Sequence, residues 1–278
     1  MNTLNEIENR IAELEKEVGE LILFSEQISI GGFNYVKRYG FKDEKGKVII
    51  PCRWSRASFF CEGLAAVKGD SGEWGYIDKS GDLVLPYQWS GDYYENEEYN
   101  PFDLLMDFSG GIAAVQNREG EFGFINKLGR TVSPFKWVYA SGIIEGLAKV
   151  VEIVDKGYYQ EWVCGYIDNS GHLVIPCQWY NAHSFKEDLA LVYDGCDINA
   201  RCGFINREGD IVIPCQWKHA YDFNEGLAAV KDSNGLWGYI NKWGEIVVPC
   251  QWKDAHSFFN GVALVEDVQG NMKRLVRK

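Results

Sequence analysis

The sequence predicts an all-β repeat protein, a propeller-like array of six to seven three- to four-stranded meanders preceded by an α-helix. Three observations support this prediction. A frame of glycine, aspartate or asparagine, glycine, proline and tryptophan recurs six times at fixed spacing. Short apolar segments separated by turn residues surround each frame, and residues 1–28 follow a different, helical periodicity. Self-similarity at a fixed period is the signature of repeat architectures.

Each frame starts at an anchor glycine and contains no insertion or deletion. Aspartate or asparagine follows the anchor at +3, glycine at +6, proline at +11 and tryptophan at +14. The anchors are Gly40, Gly75, Gly123, Gly165, Gly203 and Gly238, and the tryptophans are Trp54, Trp89, Trp137, Trp179, Trp217 and Trp252. Residues that recur in every repeat serve the repeat, so we expect the tryptophans to be buried between units.

Residues 225–249 illustrate the predicted meander. Two apolar segments flank the turn residues Asp232 to Gly235, and the composition of a type I turn follows at Asn241 to Gly244. A third strand is expected to end at Pro249, because proline cannot donate to a sheet ladder. The strands are apolar on both faces, so neighbouring meanders should cover both. Small alanines and the anchor glycine would allow that close approach.

The segment after each frame proline has a different spacing of apolar residues. Trp252, Ala255 and Phe258 are spaced by three, as are the corresponding residues of the two preceding units. This spacing predicts a single helical or 3₁₀ turn, with a short fourth strand as the alternative.

The recurring segments resemble a known family. Glu-Gly-Leu-Ala-Ala-Val, Trp-Gly-Tyr-Ile-Asn/Asp and Val-Ile/Val-Pro, as in residues 62–86 and 225–249, are similar to the WG (KWG) repeats of bacterial proteins. The resemblance extends from about Gly31 to the C-terminus. The name-giving tryptophan is replaced in four units, by Tyr39, Phe122, Cys164 and Cys202. The resemblance implies a binding or scaffold role and brings no shared catalytic residues.

The sequence predicts two parts, a helix over residues 1–28 and a repeat domain over residues 31–278. The repeat domain has six full units and an incomplete C-terminal one. The first unit also starts weakly, with a degenerate strand over residues 33–36. Incomplete terminal units fit either a closed, propeller-like ring or an open β-array or superhelix with capped ends.

The N-terminal segment has the pattern of an amphipathic helix over residues 3–24. Thr3 and Glu6 form a capping box. The apolar residues that follow at alternating spacings of three and four are Leu4, Ile7, Ile11, Leu14, Val18, Leu21 and Ile28. This seam would serve either a homo-oligomer or a helix that caps the first repeat.

Composition excludes several classes of partner and site. The net charge of −12 disfavours nucleic acid and anionic membranes, and no apolar run is long enough to span a bilayer. No secretory signal is visible, so we expect a cytoplasmic protein with eight thiols and, at most, a Cys196–Cys202 disulfide. The cysteines are spread over the repeats rather than clustered, so no metal or other cofactor is expected.

Binding residues are expected in three loops that depart from the repeat, because loops on a rigid scaffold usually carry function. These loops are the insertion Ser90 to Asp107, the hairpin Val151 to Val163 and the segment Tyr193 to Arg201. The predicted partner-binding residues are Asp92, Tyr93, Tyr94, Glu95, Glu97, Glu98, Tyr99, Phe102, Tyr158, Tyr159 and Trp162. Carboxylates mixed with tyrosines suit a basic protein or peptide. The alternative for the insertion is a solvated loop without a partner.

No catalytic motif is found, and we expect a protein that is not an enzyme. His183, His219 and His256 flank the same repeat alanine in consecutive units, which is typical of repeat residues rather than catalytic bases. The sequence therefore predicts a binding or scaffold protein. The alternative is a propeller that binds or processes a glycan, since the separation of carboxylate pairs cannot be read from sequence.

Overall fold

The computed structural model describes residues 3–91 and 106–277. It confirms the all-β repeat fold: within these residues, one helix, α1 (Leu4–Val18), accompanies 25 strands in seven small sheets. The chain divides into two compact units. Unit 1 comprises Met1–Gly146 with Asn169–His172, and unit 2 comprises Leu147–Asp168 with Leu173–Lys278.

Unit 1 holds the helix and three antiparallel meanders. Their strands, in order, are β1 (Ile22–Gly31), β2 (Asn34–Lys42) and β3 (Val48–Trp54) in meander 1; β4 (Arg56–Ala57), β5 (Ala65–Lys68), β6 (Trp74–Ile77) and β7 (Leu83–Trp89) in meander 2; and β8 (Ile112–Gln116), β9 (Phe122–Asn126) and β10 (Thr131–Trp137) in meander 3. The short strand β11 (Tyr139–Ala140) follows.

Unit 2 holds four further meanders. Their strands are β12 (Leu147–Asp155), β13 (Gln160–Asp168) and β14 (Leu173–Trp179) in meander 4; β15 (Asn181–Ala182), β16 (Ala190–Tyr193), β17 (Cys202–Ile205) and β18 (Ile211–Trp217) in meander 5; β19 (His219–Ala220), β20 (Leu227–Lys231), β21 (Trp237–Asn241) and β22 (Ile246–Trp252) in meander 6; and β23 (Asp254–Ala255), β24 (Val262–Glu266) and β25 (Met272–Val276) in meander 7. Seven meanders lie within the predicted range of six to seven.

The frame proline does not end its strand, contrary to the expectation from sequence. Strand β22 continues through Pro249 to Trp252. Between the pairs Tyr239–Val248 and Trp237–Trp252, two residue steps on β21 face four on β22, which defines a bulge. Proline is tolerated in a bulge because the extra residues are left out of the ladder.

The anchor glycine makes room for this bulge. A Cβ on Gly238 would lie 2.5 Å from the carbonyl oxygen of Val248 and 2.8 Å from the amide nitrogen of Cys250. The same close approach occurs at Gly40 and Gly165. The backbone that comes close belongs to the next strand of the same sheet, not to the neighbouring layer that the sequence suggested. The anchor glycine and the proline at +11 therefore both serve the same bulge.

The residues after the frame tryptophan form a short strand, so the predicted helical turn is wrong and its alternative is correct. His219 and Ala220 pair with Lys231 and Val230. Trp217 completes one sheet, and Ala220 and Phe223 pack with it in a shared core cluster. The spacing of three thus reflects a chain that passes from one sheet to the next.

Trp54, Trp89, Trp217 and Trp252 pack between meanders, as predicted. Trp217 lies in one cluster with Phe204 of its own meander and with Ala228 and Ile240 of the next. The other frame tryptophans are also buried, except Trp252, which is half-buried.

Neighbouring meanders are also joined through their Glu-Gly turns. Glu225 and Gly226 both have positive φ (53° and 74°), as a two-residue type I′ turn requires. The Glu225 carboxylate accepts a 2.9 Å hydrogen bond from the Gly261 N–H of meander 7. Glu187 accepts in the same way from Gly226, also at 2.9 Å. Each glutamate therefore holds the turn of the following meander.

Helix α1 begins as predicted but ends earlier. The Thr3–Glu6 capping box is present, and the helix stops at Gly19, whose φ is 71°. The segment Ile22–Gly31, partly assigned to the helix by the sequence, is strand β1, paired along β2. Residues 33–36, expected to form a separate first strand, adjoin or begin β2.

The seam of α1 faces the chain's own core. Ile7 and Ile11 are buried in a cluster with Leu64, Tyr76 and Trp89 of meander 2. Arg10 donates to Asp78 and Asp82, both at 2.7 Å. The helix therefore covers meander 2 within unit 1.

Two further sequence-based expectations concern disulfides and membrane-spanning helices. None of the eight cysteines forms a disulfide. Across the described ranges, α1 is too short and too polar to cross a membrane, and no longer helix occurs.

Candidate partner-binding surface

The predicted binding residues fall into two groups. Asp92, Tyr93, Tyr94, Glu95, Glu97, Glu98, Tyr99 and Phe102 lie outside the described residues. Asp107, counted among the acidic residues of that insertion, is half-buried, and burial raises the pKa of its carboxyl despite hydrogen bonds to Ser58 and Cys61. Tyr158, Tyr159 and Trp162 lie on the hairpin of β12 and β13 in unit 2.

The β12–β13 hairpin displays aromatic side chains on an ordered backbone. Its strands pair residue for residue from Leu147–Asp168 to Asp155–Gln160. The turn is fixed by the Gly157 N–H, which donates to the Asp155 carboxylate at 2.6 Å. Tyr158 is fully exposed, Tyr159 is 62% exposed and Trp162 is 58% exposed. These rings offer apolar contact area that needs little ordering on binding.

The segment Tyr193 to Arg201 is a second ordered loop. The Arg201 guanidinium donates to the carbonyl oxygens of Asn199 and Ala200 at 2.8 and 2.9 Å. Its backbone N–H donates to the Asp194 carboxylate at 2.7 Å. Ile198 is left exposed at the tip of the loop. The positive charge of Arg201 is thus engaged within the loop itself.

Tyr180 lies beside the second loop. The pKa of its phenol is raised, first by a hydrogen bond with the Cys196 thiol and, among smaller causes, by the negative charge of Glu161 on the β12–β13 hairpin. Its backbone N–H donates to the carbonyl oxygen of Tyr193 at 3.1 Å. Tyr180 therefore contacts the second loop and lies within reach of the charge of Glu161 on the hairpin.

A row of imidazoles and phenols continues from Tyr193 across meanders 5 and 6. Tyr193 Oη lies 2.9 Å from His219 Nδ1. His183 Nδ1 lies 2.9 Å from Asp222 Oδ1. In both pairs a side chain of meander 5 contacts one of meander 6. The pKa of Tyr193 is raised, chiefly by burial.

The row ends on a stacked aromatic pair. The rings of Tyr221 and Trp237 are nearly parallel, with centroids 5.1 Å apart. His219 lies 5.6 Å from both rings, and Lys231 Nζ lies 5.5 Å from the Trp237 centroid. The pKa of His219 is lowered by burial and then by the positive charges of His183 and Lys231.

We call this region the aromatic surface of unit 2. It consists of Tyr158, Tyr159, Trp162, Tyr180, His183, Tyr193, His219 and Tyr221. Carboxylates border it at Glu161, Asp194 and Asp222. Aromatic rings beside carboxylates favour ligands that carry cationic groups on apolar stems.

Sequence reasoning missed half of this surface. His183 and His219 were interpreted as repeat residues, and they do occupy repeat positions. The signal for His183 and Tyr221 was the variation at one such position: 18 residues after the six anchors stand Ser58, Tyr93, Ser141, His183, Tyr221 and His256. A repeat position whose side chain varies from unit to unit can carry a function that the other units lack.

Short antiparallel meanders joined by a glycine–proline–tryptophan frame define the class of this protein, a β-repeat protein. The profile of the WG containing repeat family matches six segments, which are residues 39–70, 74–96, 122–152, 165–195, 203–237 and 237–267. The matches span most of the chain, and the chain belongs to this family.

Similarity to solved structures is weak. BamB from Moraxella catarrhalis is 12% identical with a TM-score of 0.40, and the match covers 92% of this chain and 81% of BamB. The β-propeller domain of the Trilobed protease from Pyrococcus furiosus is 9% identical with a TM-score of 0.43, covering 92% and 89%. The WD40 β-propeller domain of Doa1 is 9% identical with a TM-score of 0.32, covering 80% and 81%. No curated protein matches the chain. At these values no property of the matched proteins is transferred to this chain.

Proposed function

We propose that this chain is a non-catalytic, cytoplasmic binding protein that holds a basic protein or peptide on the aromatic surface of unit 2. The observation that carries the proposal is the exposure of Tyr158, Tyr159 and Trp162 on an ordered hairpin. Large exposed aromatics are costly to keep in water and are enriched where partners bind.

Charge supports a basic partner. Asp194 and Asp222 border the rings, Glu161 does so while paired with Lys156 at 3.5 Å, and the nearby Arg201 is engaged by its own loop. The whole chain carries a net charge of −12. Lysine and arginine side chains would place their stems on the rings and their charges near the carboxylates.

The insertion Ser90 to Asp107 in unit 1 is a separate proposed contact for basic partners. It carries the predicted residues Asp92, Glu95, Glu97 and Glu98 without any lysine or arginine. We propose that it adds electrostatic attraction, which acts on the association rate more than on the lifetime of the complex.

A binding assay with matched variants tests the proposal. The probe is a panel of Lys/Arg-rich peptides, with the same peptides carrying Glu instead as controls. We expect Trp162→Ala to weaken binding of the basic peptides at least about tenfold, as for a central aromatic contact. Trp243→Ala is the control, because Trp243 is 79% exposed in the same unit but lies on the frame turn Asn241 to Gly244 and not on the β12–β13 hairpin.

Two outcomes would contradict the proposal. An equal loss of affinity in the Trp243→Ala and Trp162→Ala variants would show that the peptides bind any exposed tryptophan without specificity. Binding of a neutral glycan that depends on Trp162, without any basic peptide, would favour the glycan alternative. A variant with residues 92–102 replaced by a Gly-Ser linker tests the insertion by itself. We expect this variant to associate with basic peptides more slowly and to keep its melting temperature.

A further inference from the structure

Consecutive meanders bury one face each against the next. In β20, Ala228 and Val230 pack in the cluster shared with meander 5. Leu227 and Ala229 point the other way, into the cluster shared with meander 7. Each meander therefore has a backward face toward the preceding meander and a forward face toward the following one.

The forward face of meander 7 is exposed. Ala263 and Val265 are buried in the cluster shared with meander 6, so the alternate residue Leu264 lies on the opposite face. Its cross-strand partner is Arg274, and Val276 pairs beside it with Val262. Leu264 is 46% exposed, whereas the corresponding Ala229 of meander 6 is buried.

The backward face of meander 1 is exposed as well. Leu21 and Phe41 are buried in the cluster shared with meander 2. Ile22 and its partner Lys42 therefore lie on the other face, and Ile22 is 42% exposed. Phe24 and Glu26 follow Ile22 along the same face of β1.

The forward face of meander 7 and the backward face of meander 1 have similar apolar centres and can pair through opposite charges. Each has an apolar centre, which is Leu264 and Val276 on one and Ile22 and Phe24 on the other. Arg274 and Glu266 lie on the forward face, and Glu26 and Lys42 on the backward face, so each face offers both charges around its apolar centre. Faces of these same types contact each other at the meander-to-meander interfaces within each unit.

We propose that a second copy of this chain docks the backward face of its meander 1 onto the forward face of meander 7. The contact continues the meander-to-meander packing from one chain to the next. It joins two different surfaces, so it is heterologous and can extend beyond a dimer. The proposal is independent of the aromatic surface.

Light scattering on the full chain over a range of concentrations tests this proposal. We expect the mass to exceed that of a monomer and to rise with concentration. Leu264→Glu and Ile22→Glu should each raise the dissociation constant at least about tenfold, because each places a charge in the apolar centre of the contact. Ile211→Glu, an exposed position of similar kind on β18, is the control and should assemble like the parent.

Mixing the two variants gives the sharper result. The Leu264→Glu chain retains its backward face and the Ile22→Glu chain retains its forward face, so an equimolar mixture should form a dimer that does not grow. A parent that stays monomeric at every concentration would overturn the proposal. So would a mixture that remains monomeric, or an Ile22→Glu chain that dimerises by itself. Thermal melts matching the parent confirm that the variants fold.

Discussion

At the scale of single residues, the frame is a set of backbone requirements. The anchor glycine lies against a bulged strand, and the bulge holds the proline. Tryptophan then returns the strand to register, since Trp237 pairs with Trp252 and Cys202 with Trp217. These residues recur because any other side chain would disturb the same local geometry.

The anchor position predicts the effect of one substitution. A side chain on Gly203 would meet the carbonyl oxygen of Ile213 and the amide nitrogen of Cys215. Gly203→Val should therefore lower the free energy of unfolding by about 1–3 kcal/mol through overpacking. Gly195→Ala is the control, because its Cβ would lie 3.6 Å from Ala200 Cβ, an ordinary contact. Equal urea midpoints for the two variants would mean that the bulge can move aside.

His219 predicts a dependence of stability on pH. Its folded-state pKa is lowered from 6.5, so the neutral form is favoured in the native protein. The unfolded chain therefore binds the proton more readily, and this stabilisation is present above pH 6.5 and is lost as the pH falls toward the folded-state pKa. His219→Gln should reduce the difference between urea midpoints at pH 7.5 and pH 5.5. An unchanged difference would assign the dependence to other groups.

At the scale of elements, sequence patterns predicted those parts of the fold that depend on local chemistry. The capping box located the start of α1 at Thr3. The end was predicted too late, because Leu21 and Ile28 continue the seam although Ile22, Phe24, Ile28 and Ile30 also alternate as in a strand. The contact of His183 with Asp222 could not be predicted, since it depends on how two meanders are placed side by side.

The Glu-Gly turns predict a difference between two substitutions at one site. Glu225→Ala loses the bond to Gly261 and keeps a left-handed backbone at φ 53°. Glu225→Gly also loses the bond but relieves the strain of a side chain at this φ, because glycine adopts the conformation freely. We expect the alanine variant to be less stable than the glycine variant by about 1 kcal/mol. Identical chemical denaturation curves would show that the turn relaxes.

Helix α1 predicts the result of a truncation. Removing residues 3–18 exposes Leu64 and Tyr76 and deprives Asp78 of Arg10. We expect a lower melting temperature or aggregation. The opposite result, an unchanged melt with loss of an oligomer, would assign the seam to a contact between chains. Arg10→Gln, which keeps Ile7 and Ile11 in place, is the milder control.

At the scale of the whole molecule, one repeat supplies the scaffold and departures from it supply the proposed chemistry. The buried frame tryptophans hold the meanders together, whereas Trp162 and Trp243 are exposed. Only Trp162 belongs to the aromatic surface. The central claim is that the repeat is structural and that a basic partner binds where the loops of unit 2 depart from it.

The indole N–H spectrum of the ten tryptophans tests this claim most directly. The protein is labelled with ¹⁵N and titrated with a Lys/Arg-rich peptide, and the Trp162 and Trp243 signals are assigned from their phenylalanine variants. We predict that the Trp162 signal shifts in proportion to binding, while Trp243 and the buried frame tryptophans stay in place. A spectrum in which Trp243 or the frame tryptophans shift and Trp162 does not would contradict the account.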